Sequence, residues 1–173
     1  MRKHPLNYQS LLKFTIFAIS TITVILCHAK SLPLMLDVTG EIGKFTQKYP
    51  KNFHFSEDDL LKLRIYQITT STPWSQQAIF KGVRLYDILK IVDARGSYVD
   101  IKAYDDYTVS DIPISEISKY QPILAFERNG ERLRLSDYGP LFLVYPRDQF
   151  PLELKKSQYS TREIRQIKEI SVK

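Results

Sequence analysis

Cysteine and histidine are nearly absent from this sequence, which has one cysteine and three histidines among its 173 residues. Cys27, His4 and His28 lie within the first 29 residues, ahead of the region predicted below to form a domain. A cysteine–histidine zinc site, a histidine-rich copper site and a thiolate nucleophile are therefore excluded from residues 30–173. A disulfide within that region is excluded for the same reason.

Glycine-rich phosphate-binding motifs are absent as well. Gly40 and Gly43 are the only glycines that lie close together, and neither a P-loop nor a dinucleotide fingerprint follows them. A Ser-His-Asp triad would have to use His54, which sits in an alternating, strand-like stretch with no nucleophile motif beside it. We therefore predict no catalytic residue and no metal ligand. His54 is interpreted as a strand residue that faces solvent or a neighbour.

The first 29 residues have the three parts of a secretory signal peptide. Residues 1–13 contain basic but no acidic side chains, residues 14–26 are almost wholly apolar, and small residues precede a cleavage site after Ala29. An uncleaved N-terminal anchor is the alternative, and acylation of Cys27 is disfavoured because bulky Leu26 precedes it. We predict a signal peptide over residues 1–29, a single domain over residues 30–173, and a bacterial periplasmic or secreted location.

The charge balance limits the kinds of partner. The formal net charge is +6, and Arg2, Lys3 and Lys13 of the predicted leader supply half of it. A mildly basic, exported domain makes nucleic acid an improbable partner, so we predict none. A small anionic ligand or an envelope protein is the expected partner. Contact with a membrane is expected only if the leader stays attached.

Strand signals outnumber helix signals in the rest of the chain. Ser56 is a predicted helix N-cap, residues 85–92 repeat apolar side chains at helical spacing, and residues 115–119 suggest a short helical turn. Asn129-Gly130 predicts a two-residue hairpin. Strands are predicted at residues 34–40, 64–70, 98–103, 108–112, 123–128, 131–135, 141–145 and 167–172, with a loop at residues 71–77. The predicted fold class is α+β, mostly antiparallel β with two or three short helices.

One loop concentrates hydroxyl groups around the only tryptophan. Thr70, Ser71 and Thr72 precede Trp74, and such hydroxyls can donate to a polar or anionic ligand while the indole forms a pocket wall. These four residues are predicted to bind a ligand. The alternative is a Ser/Thr-turn loop in which Trp74 is a buried anchor.

Two further segments supply candidate ligand-binding residues. Asp106 and Tyr107 lie between two predicted strands, where a turn with capping Asp side chains is the alternative interpretation. Arg147 follows the buried strand and Arg162 lies near the C-terminus, where both could meet an anion. The alternative for these arginines is a solvated basic face.

Together these segments resemble the sulfite-oxidase-like molybdopterin-binding oxidoreductase family. The resemblance covers most of residues 34–172 and is most specific at residues 80–85 and 139–146. It implies that family's fold. Catalytic members bind molybdenum through a cysteine thiolate, and the matching place falls at residues 69–71, which are Thr, Thr and Ser here. They also tend to carry an arginine where this chain has Phe142.

The resemblance and these departures suggest an exported domain that has lost the metal thiolate. A hydroxyl is a harder and weaker donor than a thiolate, so its substitution should cripple oxo transfer. We predict a binding or accessory module for a small anionic ligand or a protein partner. The alternative is a molybdenum–pterin oxidoreductase with a non-cysteine metal site, and a third interpretation is a purely structural domain. The residues by themselves identify no cofactor. The family resemblance implies that molybdopterin is the candidate cofactor.

Overall fold

The computed structural model describes residues 32–173 of the chain, so the predicted signal peptide, Cys27 and its cleavage site lie outside the described residues. The strands are β1 (Leu36–Gly40), β2 (Asn52–Phe55), β3 (Tyr66–Thr72), β4 (Ser75–Arg84), β5 (Tyr98–Ala103), β6 (Thr108–Pro113), β7 (Ile123–Arg128), β8 (Glu131–Arg132), β9 (Phe142–Val144) and β10 (Ile167–Val172). The helices are α1 (Glu57–Lys62), α2 (Leu85–Ile91), α3 (Ile114–Tyr120), α4 (Pro151–Leu154) and α5 (Ser157–Ser160). Within residues 32–173, no helix combines the length and apolarity needed to cross a bilayer.

The first sheet has the strand order β2-β1-β10-β5-β6. Neighbouring strands in this sheet run antiparallel, except that β1 and β10 run parallel, with Gly40 opposite Val172. The chain therefore returns at its end to place its last strand beside its first. This pairing puts residues 163–166, which precede β10, at one end of the sheet and the β1–β2 connection at the other.

The second sheet has the order β3-β4-β7-β8, and β9 also pairs with β7. All of its pairings are antiparallel. The predicted hairpin at Asn129-Gly130 joins β7 to β8, and both turn residues have positive φ, as a tight two-residue turn requires. The extension of β8 to Leu135 is wrong, because the strand has only two residues.

The core has two parts that share the central strands of the second sheet. Leu124, Leu143 and Tyr145 contribute to the larger part, together with the first sheet and helices α2 and α3. Ile123 and Phe142 contribute to the smaller part, because successive strand side chains point to opposite faces. The predicted burial of residues 141–145 on both faces is confirmed, but the strand itself covers only Phe142–Val144.

The local helix signals are also confirmed. Ser56 caps α1 with a complete capping box: its side chain accepts a hydrogen bond from the Asp59 backbone N–H at 3.3 Å, and the Asp59 carboxylate accepts one from the Ser56 N–H at 3.0 Å. The described residues hold five short helices rather than two or three. The two extra helices are single turns of four residues after β9, too short to show a repeating apolar pattern.

The loop predicted at residues 71–77 is wrong in its extent. β3 continues to Thr72 and β4 begins at Ser75, so only Pro73 and Trp74 connect them. The register shifts between Thr70 and Thr72, which makes the end of this hairpin irregular. The hydroxyl-rich segment is therefore held mostly in strands, and it presents Trp74 at a tight turn.

Candidate functional site

A cleft of about 310 Å³ lies where three separate segments meet. The β3–β4 hairpin contributes Trp74, the β5–β6 turn contributes Asp105 and Tyr107, and the segment before β10 contributes the remaining wall. The lining residues are Trp74, Ala103, Asp105, Tyr107, Glu163, Ile164, Arg165 and Gln166. The cleft thus lies at the end of the first sheet where β5 ends and β10 begins, facing the hairpin of the second sheet.

Trp74 and Arg165 form the most distinctive pair in this cleft. The indole is 45% exposed, and its ring centroid lies 5.9 Å from that of buried Phe142. The Arg165 guanidinium lies 4.9 Å from the Trp74 ring centroid and 5.7 Å from that of Tyr138. No salt bridge involves Arg165 among the residues that the structure describes. Two rings therefore position a cation at the cleft that forms no direct ion pair, although the carboxylates of Asp105 and Glu163 line the same cleft.

The β5–β6 turn brings Tyr107 to the cleft and takes Asp106 away from it. Tyr107 is 58% exposed, and its backbone N–H donates to the Asp105 carboxylate at 3.1 Å, which is the predicted capping turn. Asp106 has a φ of 65° and forms ion pairs with Lys102 and Lys168. Hydrogen bonds from Lys168 and Lys102 lower the pKa of Asp106. Asp106 is therefore a turn residue with its charge already compensated.

The hydroxyls of Thr70 and Ser71 are hydrogen-bonded within the protein. Buried Thr70 accepts a hydrogen bond from the Asp148 backbone N–H at 3.2 Å and donates one to the Ser71 carbonyl at 3.3 Å. The backbone N–H and the hydroxyl of Ser71 both donate to the Asp148 carboxylate at 2.8 Å. The Thr72 hydroxyl lies 3.0 Å from the Ser75 hydroxyl. Thr70 and Ser71 therefore tie the hairpin to the segment after β9, whereas Thr72 holds the turn itself by also accepting a hydrogen bond from the Trp74 N–H at 3.2 Å.

Asp148 is the acceptor on which this connection depends. Burial by itself would raise the pKa of its carboxyl, but hydrogen bonds from Lys155, Ser71 and Gln77 outweigh that effect and lower the pKa to about 2. Because the folded pKa lies below the ordinary 3.8, the stabilisation is present above that pH and is lost as the pH falls through about 2.

Asp148→Asn is therefore expected to lower the free energy of unfolding at neutral pH by about 2 kcal/mol. The amide keeps one acceptor oxygen but loses the charge that Lys155 and both donors of Ser71 stabilise. Urea denaturation at pH 7 measures the change. Asp137→Asn is the matched control, because Asp137 is exposed and should shift stability by less than about 0.5 kcal/mol. Equal losses in the two variants would contradict the assignment.

Arg147 and Arg162 both pair with carboxylates, Glu163 being buried and Glu116 largely so. Arg147 lies 3.4 Å from Glu163 and 3.2 Å from the Ser160 hydroxyl, and it is only 8% exposed. Arg162 pairs with Glu116, which also accepts a hydrogen bond from the Tyr145 hydroxyl at 2.7 Å. Neither arginine lines the cleft. Their predicted ligand-binding role stays a prediction, and in the structure their guanidinium groups neutralise carboxylates.

Glu163 connects this buried network to the cleft. It lines the cleft together with Ile164 and Arg165, while its carboxylate accepts a hydrogen bond from the buried Tyr145 N–H at 3.0 Å. Burial raises the pKa of Glu163 to about 7, although the Tyr145 N–H and the Arg147 guanidinium both oppose that shift. Burial and the neighbouring Glu116 raise the pKa of Tyr145 well above its ordinary value.

The structure thus brings together Trp74 and Tyr107 of the predicted ligand-binding residues, with Thr70, Ser71 and Thr72 supporting the hairpin behind them. Sequence reasoning missed Glu163 and Arg165 as site residues. The three charged residues among positions 162–165, Arg162, Glu163 and Arg165, are a weak signal for them. No feature of the neighbouring sequence distinguishes Arg165, which lines the cleft, from Arg162, which pairs with Glu116.

The side chains of residues 69–71 do not fit the way in which catalytic members of the sulfite-oxidase-like family bind molybdenum, which is through a cysteine thiolate. The segment offers hydroxyls rather than a thiolate, and those of Thr70 and Ser71 already have partners. Among residues 32–173, no group of three or more His, Cys, Asp or Glu side chains could hold a metal ion. Arg165 and the two rings beside it fit an anionic organic group, but they provide no metal ligand.

Comparison with known proteins agrees with this fold. A family described as the oxidoreductase molybdopterin binding domain matches residues 41–171. The crystal structure of the sulfane dehydrogenase SoxCD from Paracoccus pantotrophus superposes with a TM-score of 0.58 at 17% identity, covering 80% of this chain and 37% of that chain. The chain therefore spans well under half of that structure's chain. No curated protein matches. The predicted α+β fold and the family resemblance are confirmed.

Proposed function

Because the chain belongs to the family of oxidoreductase molybdopterin-binding domains, we propose that it is an exported binding module of that family without a metal thiolate. The N-terminal basic and apolar segments support export to the periplasm or beyond. The absence of cysteine from residues 30–173 supports the loss of the thiolate. The fold then serves as a scaffold for a binding cleft rather than for oxo transfer.

The proposed ligand is a small organic anion that binds in the cleft beside Trp74. The observation that carries this proposal is the Arg165 guanidinium, which lies 4.9 Å from the Trp74 ring and has no salt bridge among the described residues. Arg165 would donate hydrogen bonds to the anionic group, since a guanidinium matches a planar oxyanion. Trp74 and Tyr107 would cover the apolar part of the ligand from two sides.

Arg165→Gln is expected to weaken binding of such an anion about tenfold or more, since one charge-assisted hydrogen bond is worth about 1.5–3 kcal/mol. Thermal-shift and calorimetric titrations with two aromatic carboxylates, benzoate and an oxidised pterin carboxylate, provide the measurement, and sulfite, sulfate and phosphate are the comparison anions that have no apolar part. Arg64→Gln is the matched control, because Arg64 also lies over an aromatic ring, Tyr66, at 5.0 Å, but outside the cleft. If the unmodified protein bound none of these probes, the small-ligand proposal would be abandoned.

Elemental analysis separates this proposal from the metalloenzyme alternative. The protein expressed in a host that makes the molybdenum cofactor is expected to contain far less than one molybdenum per chain, because the hydroxyls of Thr70 and Ser71 already have partners. Stoichiometric molybdenum together with a pterin fluorescence signal after oxidation would support the oxidoreductase with a non-cysteine metal site instead.

A further inference from the structure

The connection between β1 and β2 projects a cluster of aromatic and basic side chains into solvent. Residues 44–51 form this basic–aromatic loop, and each of them is exposed. Tyr49 is 85% exposed and Phe45 is 41% exposed, and Lys44, Lys48 and Lys51 alternate with them. Two large rings exposed on one turn, with lysines around them, make this loop a candidate interaction surface.

The loop carries a local positive charge without direct ion pairs. No acidic residue occurs between Glu41 and Glu57 in the sequence. Among the described residues, none of the three lysines of the loop forms a salt bridge. The aspartates at its base are engaged elsewhere, Asp37 with His54 and Asp93 with Arg95. The loop is therefore complementary to a negatively charged surface.

Backbone hydrogen bonds give the loop a defined shape. The backbone N–H groups of Thr46 and Gln47 both donate to the Asn52 carbonyl, at 2.9 and 3.0 Å. The His54 N–H donates to the Thr46 hydroxyl at 2.8 Å. The Lys51 ammonium lies 5.0 Å from the centre of the Phe45 ring, so charge and ring are presented together. Little ordering would be needed for this loop to engage a surface.

We propose that the basic–aromatic loop docks on an anionic lipid surface. Tyr49 and Phe45 would enter the headgroup region, where amphipathic and aromatic rings are favoured, and the three lysines would contact lipid phosphates. The loop matches a lipid interface better than a protein groove. It is a narrow turn with two protruding rings, and its three lysines have no acidic residue between them. The proposal does not depend on the ligand of the cleft.

The topology gives this docking a consequence for the cleft. The loop follows Gly40, which pairs with Val172 at the end of β10, whereas the cleft is formed by residues that precede β10. The loop and the cleft therefore lie at opposite ends of the first sheet. A protein docked through residues 44–51 would keep its cleft on the side away from the lipid.

Depth-dependent quenching tests the proposal at the loop itself. Tyr49→Trp is prepared in a full chain that also carries Trp74→Phe, and Leu152→Trp in the same background is the control, because Leu152 is 84% exposed on α4. Both proteins are mixed with vesicles that contain brominated phosphatidylcholine, with or without phosphatidylglycerol. Any contact made by residues 1–31 is common to both proteins, so the difference between the two positions reports on the loop.

With phosphatidylglycerol present, the tryptophan at position 49 is expected to be quenched about twofold or more relative to the one at position 152. Replacing Lys44, Lys48 and Lys51 by Gln should abolish this difference. Replacing Lys62, Lys90 and Lys156 by Gln, which removes the same charge from other exposed positions, should preserve it. Equal quenching at the two positions would overturn the proposal. Quenching at position 49 that was the same without phosphatidylglycerol would overturn its anionic character.

Discussion

Gly82→Ala is expected to lower the free energy of unfolding by about 4 kcal/mol or more, placing it among the exceptional substitutions. Gly82 is buried in β4, where the pairing with β7 shifts register. A Cβ atom at this position would lie 2.0 Å from the Leu124 carbonyl oxygen and 2.6 Å from the Ala125 Cα. These are backbone atoms of the central strand, so no side-chain rotation can relieve the overlap. The two strands would have to separate.

Thermal and urea unfolding monitored by circular dichroism measure this effect, which corresponds to a fall of about 10 °C or more in melting temperature. Gly130→Ala is the matched control in the same sheet. Gly130 has a φ of 84°, and a Cβ atom added to it would meet no other atom within 4 Å, so only backbone strain opposes the substitution. That strain should cost about 1–2 kcal/mol. Similar losses at both glycines would show that the β4–β7 contact is not the cause.

The local elements were predictable because their signals are contained in a few adjacent residues. Ser56 and Asp59 form a capping box three residues apart, and Asn129-Gly130 supplies the two positive φ angles of a tight hairpin. The closing strand β10 has the predicted bounds, although its apolar residues alternate only from Ile170 onward, since the register shifts between Ile167 and Glu169. The family resemblance is most specific at residues 80–85 and 139–146, and the structure supplies a physical reason for the glycine in the first of these segments, the close approach of β4 to β7.

The cleft was only partly predictable because its walls come from segments far apart in sequence. Trp74 and Tyr107 were recognisable as aromatic residues in connecting segments, but nothing in the sequence places Arg165 over the Trp74 ring. The hydroxyls of Thr70 and Ser71 were predicted to be free for a ligand. In the fold they meet Asp148, which is 77 or more residues away along the chain. Tertiary pairing of this kind leaves no local pattern.

Glu163 illustrates the same limit for electrostatics. In sequence it is one acid among basic residues, which would ordinarily be solvated. In the fold it is 2% exposed, with the Tyr145 N–H and Arg147 as its polar partners. A buried pair of this kind does not recover the full desolvation cost of its charges. The pKa of Glu163 is accordingly raised to about 7, despite the neighbouring guanidinium.

The stability of the protein is therefore expected to fall as the pH rises from 4.5 to about 7. The pKa of Glu163 is higher in the folded chain than the ordinary value of 4.5, so the folded state binds the proton more tightly. The stabilisation that the protonated Glu163 carboxyl gives the folded state is fully present below the ordinary pKa, and it is lost as the pH rises through the folded pKa. The shift corresponds to about 3 kcal/mol. Urea denaturation at closely spaced pH values measures the decline.

Glu163→Gln should flatten this decline, because the amide resembles the protonated acid and does not titrate. Its carbonyl oxygen can still accept the hydrogen bond from the Tyr145 N–H, whereas its NH2 group cannot accept the one that Arg147 donates to the second carboxylate oxygen. Glu131→Gln makes the same chemical change at an exposed position and should leave the decline intact. A wild-type profile that rose over this pH range, or a decline that persisted in Glu163→Gln, would assign the titration to another group. Because Glu163 lines the cleft beside Arg165, the pH dependence of anion binding by wild type and Glu163→Gln would then show whether its proton also controls the affinity of the cleft for an anion.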